Sequence, residues 1–412
     1  MRALLVGSGG REHALAWKLA QAPSLTDLHA APGSPGIARL AECHPIRAED
    51  PEGLLALAHA LDIDLVVVGP EAPLVSGVAD VLRPAGIAVF GPSRAAAAIE
   101  GSKSFAKDVM AAAGVPAAAQ LAVARPPCVV KADGLAAGKG VHVCRSQKEL
   151  DVGLKAVTAL GGGFIVEELL EGPEVSSFAI CDGSNAIALV PAQDFKRAYD
   201  GGLGPNTGGM GSYAPVPGLG ADASEELLEL VHRPVLAELQ RRGSSFVGLL
   251  FAGLMLTSKG PRVLEFNCRF GDPETQSVLP LLEGDLLEAL AAAAAGELAG
   301  VVLETSLGAA VTVVLAAETY PKGVDRGSAI AGVEEAESEG ALVFHAGTAL
   351  HGDRLVTNGG RILGVTGLGE TLAGARAAAY AAADRIAFEG VRRRGDIALD
   401  AAEGKTISLH SA

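Results

Sequence analysis

The run Asp64-Leu65-Val66-Val67-Val68 constrains this chain more than any other segment, because after Asp64 it offers no polar side chain to solvent. A strand that is apolar on both faces needs both faces of its sheet covered, which is the habit of parallel strands joined by helical crossovers. Its neighbours repeat the theme. Ala3–Val6 reads as a short apolar strand, Gly7–Gly10 as a turn, and Arg11–Gln21 as a helix with Leu15 and Leu19 on one face. After Val68 come the loop Gly69-Pro70-Glu71-Ala72-Pro73, a helix near Val75–Arg83 and the strand Ile87–Phe90. This alternation predicts a doubly wound parallel α/β sheet with ligand loops at the strand carboxyl ends.

From about Glu100 the pattern turns to α+β. Ser102–Ala113 is an expected helix, stopped by Gly114-Val115-Pro116. Strands are expected at Cys128–Lys131 and Val141–Cys144, flanking a glycine loop, and at Phe164–Leu169 and Val175–Cys181 as a second pair. Glu225–Arg241 reads as a long helix, Phe246–Thr257 and Arg262–Asn267 as a hairpin, and Leu281–Leu298 as an Ala/Leu-rich helix. A β-rich tail follows, with strands at Ala309–Ala316, Ala341–Ala346 and Arg361–Gly367 and a closing helix Leu372–Phe388; the acidic stretch Glu334–Glu339 reads as a solvated loop. The expected division is an N-terminal α/β domain over 1–101, a central domain over 102–305 with a lid subdomain about 117–190, and a C-terminal domain over 306–412.

A chain of 412 residues is too long for one core, which agrees with several domains. Its net charge of −15 argues against a nucleic-acid surface, which needs a basic face, but leaves room for a locally positive pocket that takes a phosphorylated small molecule. The five cysteines are scattered without CxxC spacing, so idle thiols in a reducing cytosol are expected. No signal peptide and no membrane span are expected, and the chain reads as cytoplasmic.

Three constellations carry chemistry. In Lys131-Ala132-Asp133-Gly134-Leu135-Ala136-Ala137-Gly138-Lys139-Gly140-Val141, a small-residue loop joins two strands. Its glycines let backbone N–H groups approach phosphate oxygens, and its lysines offset their charge. The Gly138-Lys139 pair is followed by Gly140 and a strand, so this is not a Walker loop. Next, Phe164-Ile165-Val166-Glu167-Glu168-Leu169-Leu170-Glu171-Gly172-Pro173-Glu174 runs from a strand into an extended hinge. Its backbone could meet an adenine edge, and Glu174 a pair of ribose hydroxyls. Last, in Val263-Leu264-Glu265-Phe266-Asn267-Cys268-Arg269-Phe270-Gly271-Asp272-Pro273-Glu274, the period of two puts Glu265, Asn267 and Arg269 on one face. A carboxylate beside an amide oxygen suits Mg²⁺, and an arginine fork suits a transferring phosphoryl group.

Taken together and in this order, the three constellations resemble the ATP-grasp superfamily. The finer resemblance is to the phosphoribosylamine–glycine ligase family, on the runs Gly7-Ser8-Gly9-Gly10-Arg11-Glu12-His13-Ala14, Val68-Gly69-Pro70-Glu71-Ala72-Pro73-Leu74, Glu100-Gly101-Ser102-Lys103, the Lys131–Val141 loop, Gly204-Pro205-Asn206-Thr207-Gly208-Gly209-Met210-Gly211 and Arg269-Phe270-Gly271-Asp272-Pro273-Glu274. The resemblance implies ATP with Mg²⁺ or Mn²⁺, and ligation of glycine to 5-phosphoribosylamine through glycyl phosphate in purine biosynthesis. It implies that Lys103, Lys131, Gly134, Gly138, Lys139 and Gly140 contact phosphates, that the hinge Glu167, Glu168 and Leu170 holds adenine, and that Glu174 holds ribose. Glu265 and Asn267 would hold the metal, and Arg269, Lys131 and Asp194 would be catalytic. The substrate pockets would be formed by Gly9, Gly10, Arg11 and Glu12, by Gly69, Pro70 and Glu71, by Lys196, Asn206, Thr207, Gly208, Gly209 and Met210, and by Asp272 and Pro273.

The chain departs from the family pattern at Phe195 and at Gly202-Leu203, and Gly253 stands where many ATP-grasp enzymes carry a second acidic metal ligand. A dinucleotide-dependent oxidoreductase is the first rival, but Glu12 stands where the third fingerprint glycine belongs. The second is a sibling ATP-grasp carboxylase or formate-dependent transferase. No nucleic-acid or membrane partner is expected, and the oligomeric expectation is a monomer or weak homodimer.

Overall fold

The computed structural model describes residues 1–136 and 140–410, so Gly138 and Lys139 of the expected phosphate loop lie outside the described residues. The expected parallel sheet is present. Its five strands run in the order Glu42–Cys43, Asp27–Pro32, Arg2–Gly7, Leu65–Val68, Ala88–Phe90, with every pairing parallel. Leu4, Val6, Val66 and Val68 enter one buried core, while Ala3, Leu5, Leu65 and Val67 enter another. That is why these strands carry no polar face. The helix expected near Val75–Arg83 is two helices, Glu71–Ser76 and Val78–Leu82. Gly77, at φ +92°, ends the first, and Pro73 is tolerated because it lies in the first turn, where backbone N–H groups have no intrahelical partner.

Helices Arg94–Gly101 and Lys103–Ala113 lead into the central region, each capped by a serine hydroxyl: Ser93 accepts from the Ala96 N–H and Ser102 from the Phe105 N–H. Within the segment expected as a lid, a three-stranded antiparallel sheet has Cys128–Ala132 between Val141–Cys144 and Phe164–Glu168, covered by helix Gln147–Ala159. The expected pairing of Phe164–Leu169 with Val175–Cys181 does not form. The Pro173 carbonyl accepts from the Leu256 N–H at 2.9 Å, which hands the chain over to strand Val247–Thr257 instead of turning it back. Glu174–Asp182 therefore joins an eight-stranded antiparallel sheet.

That sheet runs Gly260–Asn267, Val247–Thr257, Glu174–Asp182, Ala186–Asp194, Gly211–Ala214, Ala309–Ala316, Arg361–Gly369, Leu342–His345. It carries the fold without a break from the central region into the C-terminal part. Two expected helices are shorter than the apolar pattern suggested. Leu286–Ala295 is ended by Gly296 at φ +79°, and Leu372–Ala383 stops before Phe388. The Glu334–Glu339 segment is not a loop but mostly helix, Val333–Ser338. Val333 and Ala336 are buried beneath it, and Glu337 pairs with Arg39 at 2.7 Å, so its acids form the outer face of an amphipathic turn.

Candidate active site

A cleft of about 1010 Å³ opens between the lid, the large sheet, the N-terminal sheet loops and the C-terminal region. Strand Gly260–Asn267 forms one wall, and the period of two brings both Glu265 and Asn267 to the cleft. Arg269 follows on the same side, its Nη2 donating to Asn267 Oδ1 at 3.2 Å. Two acids hold the guanidinium in place, Glu71 at 3.3 Å and Glu100 at 3.4 Å. Burial alone would push the Glu71 carboxyl up, but Arg269 and Arg11 together outweigh it and hold it down at about 2. Glu71 thus stays ionised and fixes the arginine fork.

The opposite wall is cationic. Lys131, on the central lid strand, lies 2.6 Å from Glu167 Oε2 and donates to the Leu264 carbonyl at 2.7 Å. Lys107 reaches the other oxygen of Glu167 at 2.5 Å. Glu167 is therefore a buried bridge between two ammonium groups, while Glu168 and Leu170 beyond it line the cleft. Burial draws the Lys107 pKa down, against the pull of Glu167. Lys103 donates to the Gly134 carbonyl at 3.1 Å, so the start of helix Lys103–Ala113 is tied to the glycine loop. Asp133 strengthens that tie by accepting from the Lys103 N–H at 2.6 Å and the Ser104 hydroxyl at 2.6 Å.

Lys196 sits on the floor with Glu174 at 2.6 Å and Asp194 at 3.8 Å. Desolvation opposes its charge, yet Asp194, Glu174 and Glu265 around it keep it protonated well above the usual lysine range. One ammonium does not balance the acids gathered here. Burial pushes the Asp194 carboxyl up to about 7; Lys196 pulls it down, but Glu274, Glu174 and Glu265 add to the rise. A pocket with surplus oxygen anions, including a carboxylate and an amide oxygen on one strand, is chemically suited to a hard divalent cation. The residues present fit such an ion.

The remaining wall comes from the C-terminal region. Arg361 donates to the carbonyls of Gly208 and Asp272, at 2.5 and 2.9 Å, and pairs with the Asp272 carboxylate at 2.7 Å. The Tyr320 hydroxyl accepts from the Gly208 N–H at 2.9 Å. Together they tie the Asn206–Gly211 loop to the turn that follows Arg269.

Of the residues expected at the site, Arg11, Glu71, Lys103, Lys131, Gly134, Gly140, Glu167, Glu168, Leu170, Glu174, Asp194, Lys196, Asn206, Thr207, Gly208, Glu265, Asn267, Arg269 and Asp272 all line this one cleft. Gly9, Gly10, Glu12, Gly69, Pro70, Gly209, Met210 and Pro273 are not part of its lining. Glu12 explains the first of these. Its carboxylate accepts from the Gly9 N–H at 2.7 Å and pairs with Arg11 at 2.5 Å. A Cβ added at Gly7 or Gly69 would stand 2.5 or 2.3 Å from its side chain, so these glycines make room for a buried acid. Met210 is fully buried, and Gly209 packs against Pro273.

Sequence reasoning missed Lys107, Glu100, Glu274, Tyr320 and Arg361, all of which line the cleft. Lys107 had a usable signal, since it follows Lys103 by one helical turn on the same face. Nothing local tied Tyr320 or Arg361 to the cleft, although Arg361 ends the run Thr357-Asn358-Gly359-Gly360-Arg361 that resembles the family's C-terminal domain; only the tertiary fold brings them to loops far earlier in the chain.

Comparison with known proteins agrees with this arrangement. The family models for the N domain, the ATP-grasp (A) domain and the C domain of phosphoribosylglycinamide synthetase match residues 1–100, 101–275 and 310–400. The phosphoribosylamine–glycine ligase of Streptomyces coelicolor is 51% identical, over 98% of this chain and all of that protein. The one from Corynebacterium ammoniagenes is 48% identical over the full length of both. The crystal structure of the Thermotoga maritima phosphoribosylamine–glycine ligase superposes with a TM-score of 0.84 at 35% identity, covering 96% of this chain and 100% of that one. A biotin carboxylase domain from Hydrogenobacter thermophilus, covering 99% of this chain and 96% of its own, shares the fold with a TM-score of 0.71 at 19% identity. With all three domain models matched in order and relatives aligned nearly end to end, the chain belongs to the phosphoribosylamine–glycine ligase family.

Proposed function

We propose that this cleft joins glycine to 5-phosphoribosylamine with ATP, giving glycinamide ribonucleotide, ADP and phosphate, as a carbon–nitrogen ligase of purine biosynthesis. The observation that carries the reading is the cleft of a family member in which Glu265, Asn267 and Arg269 stand on one wall and Lys103, Lys107 and Lys131 on the other. A carboxylate does not acylate an amine at neutral pH, because oxide is a poor leaving group. Transfer of the terminal phosphoryl group of ATP to the glycine carboxylate replaces that leaving group with phosphate. The amine of phosphoribosylamine then attacks the glycyl carbonyl, the C–N bond forms, and the C–O bond to phosphate breaks.

Such a reaction needs charge screening and in-line placement more than a protein nucleophile. Glu265 and Asn267 would hold Mg²⁺ or Mn²⁺, which supplies screening of the triphosphate charge when bound. Lys131 and Lys103 place the phosphates, with Lys131 aimed by Glu167 and the Leu264 carbonyl. Arg269, braced by Glu71 and Glu100, faces the transferred group with its fork already oriented, so little is lost on reorganisation. Glu168 and Leu170, which line the cleft, would meet adenine, and Glu174 would meet the ribose. Asp194, on the cleft floor beside Lys196, would take the proton that the attacking amine sheds. Among the described residues no helix is long and apolar enough to cross a membrane.

The test is ADP release with glycine, bicarbonate or formate, each with and without 5-phosphoribosylamine. Turnover that requires glycine together with 5-phosphoribosylamine is expected. Turnover with bicarbonate or formate instead would assign the cleft to a sibling chemistry.

A further inference from the structure

At the edge of the N-terminal sheet, among residues that do not line the cleft, three potential ligands meet. His29 lies on strand Asp27–Pro32, and Glu42 opens the edge strand Glu42–Cys43 that pairs with it in parallel register, His29 against Glu42. His44 follows Glu42 by two residues, and its N–H donates to the Ala30 carbonyl at 2.8 Å, which extends the ladder by one rung. Register and the period of two therefore put all three side chains on one face, carried by backbone that the sheet already holds in place. Cys43, between the two ligands, turns to the other side, where it sits against Gly33.

His29 Nδ1 is 3.1 Å from His44 Nε2 and 3.7 Å from Glu42 Oε2, and one ligand atom from each residue fits within 4.8 Å of the others. Two ligand atoms held about 2.0–2.1 Å from a tetrahedral zinc lie about 3.3–3.4 Å apart, and the two measured separations bracket that value. The imidazole planes are 43° apart, so the rings are not stacked and each can turn its bare nitrogen inward. The donor ring of the pair only has to move its proton to its other nitrogen. His29 is buried, whereas the Glu42 side chain is 70% exposed, which leaves the fourth position open to water.

We propose that His29, Glu42 and His44 form a second metal site that takes Zn²⁺ or a similar borderline divalent ion. Two imidazoles and a single carboxylate select against Mg²⁺, which prefers an all-oxygen octahedral shell, so the site is chemically separate from the oxygen-rich cleft. Its effect is to pin the two-residue edge strand to its neighbour. The ligands lie on different strands that otherwise share few ladder bonds, so a bound ion stabilises the sheet edge.

The test uses the full chain, stripped with chelator and returned to excess Mg²⁺ so that the cleft oxygens are occupied. Equilibrium dialysis against Zn²⁺ should find one tightly held ion per chain. His44→Gln and the His29→Gln/His44→Gln double variant should each weaken it by more than the roughly 10–100-fold that loss of an outer-shell partner costs a metal site. Glycine-dependent ADP release should be unchanged in His44→Gln, which separates loss of the site from loss of the fold. X-ray absorption at the zinc edge should show two imidazole nitrogens in the parent chain. A parent that binds no Zn²⁺, or a double variant that binds it as tightly as the parent, would overturn the proposal.

Discussion

Glu265 is the residue on which the proposed chemistry turns, because it puts a carboxylate on the strand face shared with Asn267 and Arg269. The surrounding acids already crowd one another, as the raised Asp194 carboxyl records. Glu265 adds to that crowding, although it also helps to keep Lys196 protonated. Glu265→Ala is expected to lower glycine-dependent ADP release by roughly 10²–10³-fold, the loss seen when one preorganised electrostatic group is removed, while the thermal midpoint holds or rises. Undiminished turnover would remove Glu265 from the site. Its place in the cleft was readable from sequence because Asn267 and Arg269, two and four positions on, line the same cleft. Glu100, which braces Arg269 from 3.4 Å, was not, since nothing local links residues so far apart in the chain. The role of Glu167 was half legible. The strand that carries it was expected, but its inward carboxylate bridging Lys107 and Lys131 shows only when the helix and that strand's sheet are placed together.

At the scale of elements, the strands that are apolar on both faces were legible because their pattern leaves no solvent side, and helix Lys103–Ala113 because Ser102 and Gly114 punctuate it, whereas the Ala/Leu-rich reading of the later helix ran past its stop at Gly296. The partner of Glu174–Asp182 was not legible. Hairpin proximity favoured Phe164–Leu169, and a contact at Leu256, more than eighty residues later, decided otherwise. Close approach also governs the C-terminal helix Leu372–Ala383, which rests directly on strand Arg361–Gly369. A Cβ at Gly367 would stand 2.2 Å from the Ala379 nitrogen and 2.4 Å from the Ala375 carbonyl oxygen, both of them backbone atoms that cannot swing aside. Gly367→Ala should therefore push the helix off the sheet and cost about 1–3 kcal/mol, typical of an overpacked interior. Chemical denaturation checks this; a midpoint equal to the parent's would mean that the helix stands further from the strand.

The whole molecule is held together partly by histidines kept neutral. His13, from the first helix, accepts from the His345 N–H at 2.8 Å where the N-terminal and C-terminal parts meet. Burial draws the His13 pKa down to about 3 and the His345 pKa to about 4, with His345 adding to the first shift. Unfolding releases both rings to titrate normally, so the unfolded chain binds more protons below pH ~6.5, and stability falls as pH drops from there. Asp194, with its raised carboxyl, works the other way in the same window, so the informative quantity is a difference between variants. Between pH 7 and 5.5 the parent should lose about 1 kcal/mol more than His13→Gln, which keeps an acceptor but cannot protonate. Equal losses in denaturant titrations would place His13 in water. The same assembly of parts creates the cleft, since lid, large sheet, N-terminal loops and C-terminal region each supply a wall. What that joint site does is decided most directly by following oxygen. Glycine labelled with ¹⁸O in its carboxylate is turned over with ATP and 5-phosphoribosylamine, and the released phosphate is weighed by mass spectrometry. One labelled oxygen in each phosphate is the expected result, because the carboxylate oxygen leaves with the phosphoryl group it accepted. Phosphate free of label, formed alongside glycinamide ribonucleotide, would contradict phosphoryl transfer to glycine in this cleft.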